Sequence, residues 1–154
     1  MRSGPEPFDS PDVAALCAAQ QEEMHGLYGE ADIGPARAAP MFEPPDGVFV
    51  VVRDGDGRAL ACGGVARFDG TRGELKRMYV VPDARGTGIG VRILAALETI
   101  ARDERLPVIR LETGIAQPEA LTLYTSAGYA PCAPFGEYEP DVLSRFMQKR
   151  IAVD

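Results

Sequence analysis

The run Arg85-Gly86-Thr87-Gly88-Ile89-Gly90 carries the chemistry easiest to read in this sequence. Three glycines at alternate positions, between a strand that Pro82 ends and a helix after it, let the backbone approach a ligand without interference from Cβ atoms. The N–H groups of the first helical turn then converge on one place. Together with the helix dipole they favour an anion such as a phosphate. Such contacts are worth roughly 0.3–2 kcal/mol each, so several must act together. Two better-known loops do not fit. A dinucleotide fingerprint needs a glycine where Val91 stands, and a Walker loop needs a lysine that is not there. Without a ligand, the same run would be a plain glycine-rich turn. No nucleophile system competes with it: His25 is the single histidine, no nucleophile-elbow motif occurs, and a surface position on a helix is its simplest reading. Cys17, Cys62 and Cys132 are odd in number and far apart in sequence, so they read as small apolar thiols and call for neither a metal nor a disulfide.

A second cluster lies about 30 residues further on, Gln117-Pro-Glu-Ala120-Leu-Thr-Leu123-Tyr124-Thr-Ser-Ala-Gly128-Tyr129. The first run, with Tyr79-Val80-Val81-Pro82 ahead of it, resembles the Arg-x-x-Gly-x-Gly pyrophosphate signature of the GNAT superfamily of N-acetyltransferases, read at Arg85, Gly88 and Gly90. The second resembles that family's Asn/Gln-x-x-Ala-x-x-Leu-Tyr-x-x-x-Gly-Phe/Tyr motif. The likeness covers about residues 47–151 and, more loosely, the first helix.

The resemblance implies acetyl-CoA as cosubstrate, with no metal, and acetyl transfer to an amine by direct attack in a ternary complex. It also implies a role for each matching residue. The backbone of Arg85, Gly86, Thr87, Gly88, Ile89 and Gly90 would cradle the pyrophosphate, with Arg85 either adding charge or holding the loop. The strand with Met78, Tyr79 and Val80 would bulge and splay from its neighbour, as in the family, and the pantetheine arm would pair with that backbone. A main-chain N–H near Met78–Tyr79 would stabilise the tetrahedral oxygen. Gln117 would bond the coenzyme or the splayed strands, and Ala120 would leave room beside it. Tyr124 would stand near the coenzyme sulfur and protonate the leaving thiolate, or else simply pack its helix on the sheet. Glu74 would accept the amine's proton, directly or through water, or else be a solvated strand-start residue. Glu112 and Thr113 are weaker candidates to touch the acceptor, and Pro134-Phe135-Gly136-x-Tyr138 either closes the acceptor pocket or packs before the last strand. The acceptor is expected to be a small-molecule amine; a peptide acceptor, or a non-catalytic acyl-CoA-binding module, are the other readings. A homodimer is a family-level expectation only.

These residues need a scaffold, and the periodicity of the chain supplies one. Ser10 offers an N-cap, Pro11 takes the first helical position, and Val13, Leu16, Cys17, Met24 and Leu27 recur at helical spacing up to Gly29. Pro5 and Pro7 leave room ahead of it only for a short edge strand near Phe8. Residues 29–46 are broken by prolines and read as a long loop, a lid or an ordered connection. Residues 47–53 and 59–68 flank Asp54-Gly-Asp56-Gly, a hairpin turn; as a calcium loop it fails, because Ala59 and Val65 occupy the required positions. A third strand is expected over 74–81, then a helix to about Arg105 that buries Ile89, Ile93, Leu94, Leu97, Ile100 and Ala101. Glu98 and Arg102 stand four apart on it in the favourable order. A strand over 107–113, returning through a helix, implies a parallel neighbour. A helix over 118–127 capped by Gly128, and closing strands over 129–132 and 143–151, complete the chain. The fold class is α/β (α+β): a mixed, mostly antiparallel sheet of about six to seven strands flanked by about four helices, in one domain over 1–154.

Composition agrees with that scale. The chain has 154 residues, 45% hydrophobic and 25% charged, which suits a single core. A formal charge of −7 argues against a duplex-binding face, so no nucleic-acid partner is expected. It is an average over the surface and does not describe a pocket. No stretch approaches the roughly 18 apolar residues of a membrane span, and the first residues do not resemble a signal peptide. A cytoplasmic location, with no membrane partner, is expected.

Overall fold

A computed structural model describes residues 1–29, 42–135 and 142–152. The elements are β1 (Arg2–Pro5), α1 (Pro11–Tyr28), β2 (Gly47–Arg53), β3 (Ala59–Arg67), β4 (Arg72–Val80), α2 (Ile89–Asp103), β5 (Val108–Gly114), α3 (Pro118–Ser126), β6 (Ala130–Pro131) and β7 (Ser144–Arg150), with one 3-10 turn at Pro82–Ala84. The seven strands form one sheet in the order β1-β2-β3-β4-β5-β7-β6, antiparallel except where β4 meets β5. The mixed sheet and its meander are therefore as expected. The described residues hold three α-helices and the short turn rather than four full helices. The edge strand at the start lies at Arg2–Pro5, earlier than Phe8, with Pro5 as its last residue.

Strand alternation divides the core in two. Ala61, Val65, Leu75, Ile109, Leu111 and Met147 face α2 and pack with Ile93, Leu94 and Leu97. On the opposite face Val51, Cys62 and Ala66 pack with Val13, Leu16, Phe42 and Phe49 beneath α1. The Ser10 hydroxyl accepts from the Val13 N–H at 3.4 Å, as its N-cap role requires. Gly128, at φ 100°, ends α3 as expected.

One expectation about a pair is corrected. Glu98 does not turn outward to Arg102: it is buried, accepts from the Tyr129 hydroxyl at 2.9 Å and from Lys149 at 2.9 Å, and so ties α2 to β7. Arg102 instead donates to the Ala152 carbonyl at 2.9 Å. Ile100, expected inside, is only partly covered. Cys17 and Cys62, distant in sequence, come together where α1 crosses β3, and both are free thiols as expected.

β4 and β5 pair only from Arg72↔Val108 to Glu74↔Arg110. Beyond that point the two strands diverge. β4 also slips against β3: Gly64 pairs with Lys76 but Cys62 with Tyr79, so Arg77 and Met78 together oppose Gly63. Arg77 carries the extra residue at φ 62°, which is the strain such a bulge imposes on a side-chain-bearing residue. Gly63 accommodates it because a Cβ there would stand 2.6 Å from the Met78 sulfur. The bulge turns β4 away from β5 and opens a wedge in the sheet.

Candidate active site

A cavity of about 390 Å³ occupies that wedge. Its walls include Met78, Tyr79 and Val80 of β4, Arg85 to Gly90 apart from Thr87, Gln117, Ala120 and Tyr124 of α3 with its cap, and Gln20 and Glu23 of α1. Nearly all the residues singled out for coenzyme binding are thus assembled in one place. Glu74 lies outside the cavity.

The main chain of β4 is aimed by its register. Val81 N–H bonds to the Leu60 carbonyl at 2.9 Å, so Tyr79 and Val81 turn their amide groups toward β3. By alternation Met78 and Val80 turn theirs toward the wedge. Their carbonyls are already engaged, Met78 O by Gln20 Nε2 at 2.9 Å and Val80 O by Arg85 Nε at 2.9 Å. They offer a ligand chiefly their N–H groups. Tyr79 reaches the cavity with its ring, under the Arg85 guanidinium at 5.5 Å.

The glycine turn fits an anion. Gly86 and Gly88 stand at φ 78° and 84°, and beyond their immediate chain neighbours no atom of the described residues lies within 4 Å of where their Cβ atoms would be. Packing therefore does not explain these glycines, whereas the left-handed backbone does. The N–H groups of Gly86, Thr87 and Gly88 have no partner among the described residues, and α2 starts without a side-chain cap. Thr87 spends its hydroxyl on the Ala84 carbonyl at 2.6 Å. Gly90 has a packing reason as well, since a Cβ would come within 3.3 Å of Leu123 on α3. Arg85 is the clamp of this loop: besides Val80 it bonds Glu23 of α1 at 2.6 Å.

Tyr124 is buried at 5% exposure beside Tyr129 yet lines the cavity, and its hydroxyl has no hydrogen-bond partner among the described residues. Burial pushes its phenol well above the ordinary range, and the charge of Glu112 adds to the shift. It is thus protonated at neutral pH. Burial also raises Tyr28, again with Glu112 contributing. Glu112 accepts from Ser144 Oγ at 2.8 Å. Glu74 is 1% exposed, with Lys76 Nζ at 3.8 Å from its carboxylate; it is no solvated strand end. Thr113 is buried on the strand between Glu112 and Gly114. Gln117 Oε1 accepts from Gly114 N–H and from Tyr28 Oη, each at 3.3 Å, so it holds the end of β5 against α1. His25 is an exposed helix residue. The loop read over 29–46 falls largely, and Gly136 and Tyr138 wholly, outside the described residues.

The model of the Acetyltransferase (GNAT) family matches residues 13–129 of this chain. The chain belongs to that family. An IAA acetyltransferase from Azospirillum brasilense is 45% identical over 134 residues, covering 83% of this chain and 86% of its own length. An uncharacterised N-acetyltransferase of Schizosaccharomyces pombe is 38% identical, covering 84% and 81%. Among solved structures, one from Klebsiella pneumoniae subsp. pneumoniae MGH 78578, named provisionally as an acyl-CoA N-acyltransferase, superposes at TM-score 0.84 with 33% identity, over 97% of this chain and 96% of that one. An aminoglycoside 6'-N-acetyltransferase complexed with coenzyme A shares the fold at TM-score 0.75 and 16% identity, over 100% and 99%. The bulge in β4 and the short pairing of β4 with β5 are what open the wedge in this chain. Nothing in the sequence marks Gln20, Glu23 or Tyr28 as part of it: they are polar or amphipathic residues on a helix face that reads as solvated until the sheet is folded beneath it.

Among the described residues no group of three or more His, Cys, Asp or Glu is placed to hold a metal ion, and no helix is long and apolar enough to cross a membrane.

Proposed function

We propose that this protein transfers the acetyl group of acetyl-CoA to the nitrogen of a small-molecule amine within a ternary complex. The observation that carries this reading is the buried Tyr124 hydroxyl, which lines the wedge without a partner among the described residues. A buried hydroxyl is rarely left unpaired, and here the missing partner fits a ligand atom in the cavity. The free N–H groups of Gly86, Thr87 and Gly88 suit a pyrophosphate, and the N–H groups of Met78 and Val80 suit the amide-bearing arm behind it.

In this reading the amine nitrogen attacks the thioester carbonyl carbon, and the Met78 N–H supports the oxygen as charge grows on it. The C–S bond breaks and Tyr124 gives its proton to the departing thiolate. Its raised pKa makes it a protonated donor across the neutral range. Glu74, which lies outside the cavity, would take through intervening water the proton that the nitrogen sheds. The relative from Azospirillum brasilense is named for IAA rather than for a protein substrate, which supports a small acceptor.

Tyr124→Phe is the decisive variant. Turnover, measured as thiol release, is expected to fall about 100-fold or more, as for loss of a general acid. Coenzyme affinity by calorimetry should stay within about twofold, since a hydroxyl rather than a binding surface is lost. A variant that loses coenzyme binding but keeps its rate per bound complex overturns the acid role. Absence of binding heat with acetyl-, propionyl- and free coenzyme A overturns the whole reading.

A further inference from the structure

The face of the sheet opposite α2, over β4, β5 and β7, carries charges that acetyl transfer itself uses only in part. Because Leu75, Ile109, Leu111 and Met147 point to the α2 core, Glu74, Lys76, Arg110, Glu112 and Gln148 point the other way. Register sets Glu74 beside Arg110, and Arg110 beside Gln148. Glu74 has Lys76 at 3.8 Å, and Glu112 has Ser144 at 2.8 Å.

Arg110 differs from its neighbours. Its Nε donates to Gln148 Oε1 at 3.2 Å, and its plane lies over the Phe135 ring at 5.4 Å. Phe135 is itself buried against Phe146 and Phe68. Yet among the described residues no carboxylate pairs with Arg110, and its two terminal nitrogens donate to nothing. A half-buried guanidinium held from one edge and one face, with its fork vacant, is preorganised for a planar anion. A bare anion beside Glu74 and Glu112 would be repelled. A ligand that also carries an amine would not, because its cationic end can turn to Glu112, which lies close enough to Tyr124 and Tyr28 for its charge to raise both phenols.

We propose that the acceptor is an amino carboxylate, its carboxylate gripped by the terminal nitrogens of Arg110 and its amine directed toward Glu112 and the wedge. The inference rests on the acetyltransferase reading and narrows its substrate class. Positions 110 and 112 are two strand residues apart, about 7 Å, and the long arginine stem shortens the gap. An α-amino acid or a short chain with a terminal amine spans it.

The test uses the whole protein with acetyl-CoA and a panel of amino acids, each beside its carboxamide and its decarboxylated amine. The free acids should be acetylated with at least tenfold higher kcat/KM than their partners. Arg110→Gln should raise KM for the acids by tenfold or more. It should leave kcat/KM for the plain amines, and the affinity for coenzyme A, within twofold. Arg110→Lys keeps the charge without the fork and should fall between; it also serves if the glutamine variant melts early. Equal use of acids, amides and amines by the unaltered protein overturns the proposal, as does equal loss on all three in both variants. If coenzyme A binds but no amine is acetylated, the acetyl-transfer reading fails separately. The carboxylate site is then judged by calorimetry of the same panel on the coenzyme-loaded protein, where no preference for acids overturns it.

Discussion

Tyr124 packs its ring in the core and also borders the cavity, whereas Gly88 borders the cavity with no packing contact to explain it. Tyr124 belongs to the main hydrophobic cluster and lines the cavity, so its ring fixes α3 on the sheet while its hydroxyl remains unspent. Packing and chemistry were alternatives from the sequence; the fold shows the packing and leaves the hydroxyl available for the proposed acid role. Gly88 sits at φ 84° at the head of α2 with open space around it. Gly88→Ala therefore has no clash to relieve and only the backbone cost to bear, about 1–2 kcal/mol for a left-handed residue. Its methyl group would also project into the open space where the proposed pyrophosphate would lie. We expect a thermal midpoint about 2–8 °C lower by calorimetry, together with weaker coenzyme binding. Unchanged affinity in a correctly folded Gly88→Ala protein would show that the ligand does not approach this turn.

At the scale of elements, α1 is more than a cover for the sheet. Gln20 holds the Met78 carbonyl at the bulge and Glu23 holds Arg85 of the glycine turn, so one helix face fixes both ends of the wedge. Cys17, one turn before Gln20, meets Cys62 on β3, whose thiol in turn donates to the Arg77 carbonyl at 3.4 Å. Gln20→Ala removes the donor from Met78. The expected cost is about 1 kcal/mol of stability, the usual worth of one such bond. Coenzyme affinity should fall about fivefold, the same energy expressed as binding, because the strand that would pair with it is no longer held. Paired melting and titration experiments separate the two effects: a lower midpoint with unaltered affinity would reduce Gln20 to a structural contact.

For the whole molecule, the two buried tyrosines set an alkaline limit. Burial raises both Tyr124 and Tyr129, helped by Glu112 in the first and by Glu98 in the second. Each phenol's folded pKa lies above its ordinary value of 10.0. The protonated fold is then fully favoured below pH 10, and the advantage is lost as pH rises from there toward the folded values. Each residue can contribute up to about 1.4 kcal/mol per pH unit in that window. Melting temperature should accordingly fall between pH 10 and 12, more steeply than in Tyr124→Phe, which has one such group fewer. Equal slopes in the two proteins would mean that Tyr124 ionises as readily folded as unfolded.

Much of this was legible in the chain itself. Period-two and period-3.6 patterns, with Pro11, Pro82 and Gly128 as punctuation, located the strands and helices to within a few residues, because burying one face of each element is a local demand on sequence. The glycine run and the Gln117–Tyr129 motif likewise lie on two walls of the wedge, contributing Arg85, Gly86, Gly88, Ile89, Gly90, Gln117, Ala120 and Tyr124, because a left-handed turn calls for glycine at fixed positions. What tertiary structure decided is every relation between residues far apart. Glu98 turned inward to Tyr129 and Lys149 rather than outward to Arg102, and Gln20, Glu23 and Tyr28 became parts of the site. The fork of Arg110 was left vacant over Phe135 among the described residues. A side chain's partner across a sheet depends on register, bulge and splay, and those are fixed only when the strands have met.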